Sequence, residues 1–111
     1  MPVPARERIE SLVTDLGSRA EVARALQVDR SQVTRWLDRG QDPGPDNVRK
    51  VEGVELALAR LLRLYDRDSA LRWLDGFNAH LGGRRPIDLL ARGRLSEVLD
   101  AIDADEIGAF A

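Results

Sequence analysis

Acid–base chemistry near neutral pH needs a group that titrates there, and the 111-residue chain has a single such side chain, His80. His80 stands beside the breaker Leu81-Gly82-Gly83 with no nucleophile partner near it in sequence, so it reads as a helix-end or surface residue. The carboxylate pairs Asp66/Asp68 and Asp103/Asp105 adjoin expected helix ends, where water solvates them, and paired carboxylates alone do not make a catalyst. There is no cysteine, which removes disulfides, thiolate zinc sites and cysteine nucleophiles, and a lone histidine leaves no multi-histidine metal centre. Gly82-Gly83-Arg84-Arg85 lacks the strand, the lysine and the hydroxyl residue of a phosphate loop. No catalytic residue, metal ligand or cofactor is expected, and the chain does not read as an enzyme. Binding through arginine is the chemistry that remains.

The elements that must position those arginines are all helical, because apolar residues recur at three- and four-residue intervals and nowhere alternate. Ile9, Leu12, Val13 and Leu16 share one face of a first helix over residues 5–16, stopped by Gly17. Ser18 with Glu21 forms a capping box that opens a second helix over 19–26. A third opens at Asp29 or Arg30 and ends at Gly40, and QDPGPD is a loop. Asp46 can cap a long fourth helix reaching about Tyr65, with Leu56, Leu62 and Leu64 widening its apolar face. A fifth, about 68–77, turns Leu71, Trp73, Leu74 and Phe77 inward. Pro86 suits the first turn of a short sixth helix through about Arg92, and Ser96 caps a seventh that faces Val98, Leu99 and Ile102 inward. The expected fold is all-α: an N-terminal helix-turn-helix region over 1–45, joined by the long central helix to a small helical region, the whole of 46–111 serving dimerisation and partner binding.

Residues 19–39, RAEVARALQVDRSQVTRWLDR, fit the helix-turn-helix pattern. Ala23 is small where two helices approach, Val28 packs the turn, and Val33 and Leu37 anchor the second helix. Gln27 stands where glycine is usual, at a point that needs a left-handed backbone, so strain is expected there. Arg30, Ser31, Thr34 and Arg35 fall on the outward face, with Gln32 as a secondary contact, and operator DNA is the expected partner. Trp36 shares the inward face and reads as core. One such module binds weakly, so a homodimer reading half-sites about one helical turn apart is expected. The flanking Asp29 and Asp38 weaken the positive patch, and an arginine helix that merely solvates its surface is the competing reading.

Toward the C-terminus, LGGRRP is followed by IDLL, ARG, VLDAID and a closing Gly108. This string resembles the toxin-binding region of the Xre/MbcA/ParS antitoxins, and with the helix-turn-helix the resemblance spans about residues 15–111. It implies a two-part antitoxin: one half binds the promoter of its own operon, and the other occludes a RES-domain toxin that consumes or transfers ADP-ribose from NAD, in hetero-multimers built on antitoxin dimers. It places Arg84, Arg85, Pro86, Asp88 and Arg94 at or near the toxin surface. The tail carries Ile107 and Phe110, and Phe110 either anchors in a partner's pocket or packs back on the chain's own core. The alternative class is a DNA-binding regulator with no toxin partner.

Charge and composition fit binding rather than catalysis. Seventeen basic against 19 acidic residues give a net charge of −2, so there is no global field for nucleic acid and any DNA contact must be local. Hydrophobic residues at 43% and charged residues at 32% describe a folding chain, and no run approaches a membrane span or a secretory signal. A cytoplasmic location and no membrane partner are expected.

Overall fold

The computed structural model describes residues 3–109. Among them are seven α-helices and one short 3-10 helix, with no strand: α1 Ala5–Leu16, α2 Arg19–Leu26, α3 Arg30–Asp38, α4 Gly44–Leu61, α5 Arg67–Asp75, the 3-10 turn Ala79–Leu81, α6 Pro86–Ala91 and α7 Leu95–Ala109. The fold class is all-α, as the helical periodicity predicts. The chain divides into two compact units, one running through Glu52 and the other starting at Gly53.

In the first unit α1, α2 and α3 pack on one another. Ile9, Leu12, Val22, Leu26, Val33 and Trp36 are all but fully buried, each worth about 1.5–3 kcal/mol against exposure. Ser18 caps α2 by accepting from the Glu21 N–H at 3.1 Å, the bond its sequence signature promises. Gln27 ends α2 at φ 55° and ψ 50°, and among the described residues it is the non-glycine at positive φ. The Val28 N–H then donates to Ala23 O at 3.0 Å, so the turn closes on the backbone of α2. Lys50 also reaches the end of α2, donating from Nζ to Leu26 O at 3.0 Å.

The second unit joins the end of α4 to α5, the 3-10 turn, α6 and α7, with α6 and the 3-10 turn both packed against α7. Its core holds Val54, Leu58, Leu61, Leu74, Leu89, Leu90, Val98 and Ile102. Asp66 caps α5 by accepting from the Ser69 N–H at 2.8 Å.

Several sequence expectations shift. α4 begins at Gly44, whose N–H donates to the Asp42 carboxylate at 2.9 Å, so Asp46 lies inside the first turn. It ends at Leu61, with hydrogen-bonded turns continuing to Tyr65, and Leu56 and Leu62 stay exposed. α5 ends at Asp75 because Gly76 is extended at ψ 156°, which breaks the helical phase and turns Phe77 outward instead of into the core. α7 starts one residue before Ser96, which sits within its first turn. Among the described residues no helix is long and apolar enough to cross a membrane.

Candidate functional site

Each unit carries one of the expected surfaces. On α3, Val33, Trp36 and Leu37 are buried, which commits the opposite face to solvent. Arg30 and Ser31 are exposed at its first turn, while Gln32, Thr34 and Arg35 are half-buried. Gln32 and Arg35 are joined, the guanidinium donating to the side-chain carbonyl one turn back. At the other end of the helix Asp38 accepts two hydrogen bonds from Arg19 at 2.8 and 2.9 Å, linking the end of α3 to the start of α2. That guanidinium holds the Asp38 carboxyl below the usual carboxylate range, chiefly through the hydrogen bond. Of the two acids that weaken the basic face in sequence, Asp38 is therefore answered by a partner. A shallow open depression beside this face is lined by Gln27, Val28, Asp29, Gln32 and Asn47.

In the second unit the chain between α5 and α6 closes on itself. Asn78 and Arg84 form an antiparallel bridge, with the Asn78 N–H donating to Arg84 O at 3.1 Å and the Gly83 N–H to Asn78 O at 2.8 Å. Asn78 also caps the 3-10 turn, its side-chain oxygen accepting from the His80 N–H at 2.9 Å. Gly82 and Gly83 sit at φ 68° and 81°, conformations that any side chain would strain, and this is why the loop carries the pair.

The closed turn sets the arginines. Arg84 donates from Nε to Leu81 O at 2.7 Å and reaches Glu97 at 3.5 Å, and Arg94 also binds Glu97 through two nitrogens. Arg85 instead lies over the Phe77 ring, 4.8 Å from its centroid. Pro86 is buried at the first position of α6, so it presents no surface of its own. Its contribution is to start the helix and hold the preceding arginines in extended chain. Asp88 is half-buried in the first turn of α6.

At the far end of α7, Asp105 accepts from the Trp73 indole N–H and lies 3.3 Å from His80 Nε2, while Asp103 pairs with Arg60. His80 thus lies at the surface with its ring against the Asp105 carboxylate. Beyond these ties Ile107 is 72% exposed, and Phe110 lies outside the described residues. The predicted positions Arg84, Arg85 and Arg94 gather around one turn. Phe77 and Glu97 complete that cluster: the helical period assigns Phe77 to the core instead, and the i,i+3 spacing of Arg94 and Glu97 is the sequence signal for the second.

Comparison with known proteins falls on the same region. Residues 57–108 match the family model described as the antitoxin Xre/MbcA/ParS C-terminal toxin-binding domain. No curated protein matches the chain. Among solved structures it is similar to a chain of the crystal structure of the M. tuberculosis MbcT-MbcA toxin-antitoxin complex, with 25% identity and a TM-score of 0.75, covering 98% of this chain and 100% of that one. The closed turn, its arginines and most of α7 fall within the matched segment, and the two likenesses together support an antitoxin of the Xre/MbcA/ParS type.

Proposed function

We propose that this chain inhibits a RES-domain toxin acting on NAD through its C-terminal unit, and binds the promoter of its own operon as a homodimer through α3. The observation that carries the first half is the toxin-binding domain match over residues 57–108, which encloses the exposed arginine turn and the bare end of α7. On this reading Arg84, Arg85, Asp88 and Arg94 border the contact, Pro86 fixes the chain that bears the first two, and Ile107 and Phe110 enter the mouth of the toxin's NAD site.

The second half is supported by α3, which buries Val33, Trp36 and Leu37 and leaves Arg30, Ser31, Gln32, Thr34 and Arg35 on the other side. An arginine there can donate two hydrogen bonds to a guanine edge, worth about 1–3 kcal/mol of discrimination. A single helix contributes few such contacts, so two copies reading a palindrome supply the affinity.

Co-expression with the cognate toxin tests the first half. Growth rescue, a stable copurifying complex and loss of NAD consumption are expected. An undiminished NAD-consuming activity in the presence of excess antitoxin would refute it. Retarded migration of promoter DNA, abolished by Arg30→Ala with Arg35→Ala, tests the second half separately.

A further inference from the structure

We propose that Phe77 and Arg85 act as one anchor on the toxin, taking an acidic side chain that stands beside an apolar hollow of that partner. The proposal rests on the toxin-binding reading and names the contact that carries it.

The pairing follows from the backbone. Asn78 and Arg84 are bridged in antiparallel fashion, so the next facing pair outward is Phe77 and Arg85. Facing residues project to one side, and the guanidinium comes to rest 4.8 Å from the ring centroid. Phe77 is nevertheless 77% exposed, more than any other large apolar side chain among the described residues. A chain that leaves an aromatic ring bare next to a fixed cation has not used it for its own core.

The arginine is equally uncommitted. Arg84 and Arg94 both engage Glu97, whereas Arg85 has no carboxylate partner among the described residues, and its Nε is buried without an acceptor. Stacking on a ring uses the flat face of a guanidinium and leaves the edge with its terminal N–H groups, which suits a carboxylate accepting two parallel hydrogen bonds. Aromatic residues, phenylalanine among them, and arginine are also the types enriched at protein interfaces. From residue 76 onward four arginines face six acids, so the attraction for an acidic group is local to this pair rather than a property of the surface.

Titration of the full-length chain with the intact cognate toxin tests the proposal, with circular dichroism to confirm that each variant is folded. Phe77→Ala and Arg85→Gln are each expected to weaken binding at least about tenfold, and the double variant by less than the product of the two, since they act together. Arg85→Glu is expected to be weaker than Arg85→Gln, and Leu62→Ala, an exposed apolar truncation elsewhere in the domain, to change affinity by less than about threefold. Losses below tenfold for both single variants, with the parent chain still binding, overturn the anchor and leave the toxin-binding reading intact. A drop in the mass of the free antitoxin in Phe77→Ala, with toxin affinity unchanged, overturns it in favour of a contact between antitoxin copies. A parent chain that does not bind the toxin overturns the broader reading and the anchor with it.

Discussion

Arg19 and Asp38 meet through two hydrogen bonds of 2.8 and 2.9 Å, tying the first residue of α2 to the last of α3. The pair is at the surface, so its value is geometric more than energetic. It fixes the angle between the two helices at their open ends and removes an unpaired negative charge from the neighbourhood of Arg35.

That pairing has a pH signature. The folded-state carboxyls of Asp38 and Asp66 are both held below the ordinary value, Asp38 by the Arg19 hydrogen bond and Asp66 by the Ser69 backbone N–H. A depressed folded pKa adds stability above the unfolded pKa, near 4, and that stability disappears as pH falls through the lower folded value. Thermal denaturation between pH 7 and pH 2 is expected to show the fall below about pH 4. Asp38→Asn and Asp66→Asn together should flatten the acid limb, and an unchanged slope would contradict the assignment.

On the proposed reading, the end of α7 separates folding from inhibition. The ties of Asp103 to Arg60 and of Asp105 to Trp73 and His80 all lie before the exposed Ile107. A chain ending at Asp105 is therefore expected to keep its helical spectrum and to lose neutralisation of the toxin. If that shortened chain still rescues growth, the proposed role of the last residues in blocking the toxin is wrong.

The two surfaces should also fail independently. Arg30→Ala with Arg35→Ala removes two donors from α3 without touching Val33, Trp36 or Leu37. Promoter affinity is expected to fall by roughly 2–6 kcal/mol if both arginines read guanine, and toxin affinity to stay as it was. Electrophoretic mobility shifts and toxin titration on the same preparation distinguish these outcomes.

Gln27 holds a backbone conformation that costs an L-residue about 1–2 kcal/mol. Gln27→Gly relieves that cost and loses part of the gain to the greater freedom of the unfolded chain. The net expectation is stabilisation of up to about 1 kcal/mol, read as a higher urea midpoint with the same slope.

Gln27 and Phe77 also show what a sequence can and cannot tell. The helix-turn-helix spacing locates the left-handed position, because Val28, Val33 and Leu37 fix the phase on both sides of the turn. Phe77 follows Trp73 and Leu74 at helical intervals, so periodicity alone sends it inward. The helix has already ended at Asp75, and the extended Gly76 carries the ring to the other side. Helix termini depend on one hydrogen bond more or less, as Asp42 at the start of α4 also shows, and that is why a pattern spread over many residues is legible while a residue just past a stop is not. The arginine turn was visible through its glycines and proline. Its closure by Asn78 and its link to α7 through Glu97 were not, because both join positions whose distance along the chain carries no period.

Proline at position 86 confines the residue before it, so Arg85 keeps its extended backbone, φ −82° and ψ 132°, whether or not anything is bound. A partner that docks on this corner finds main chain already frozen, and the ordering penalty that usually erodes association is small there. Differences between variants at this corner should consequently show up in how slowly complexes come apart, with little change in how fast they form.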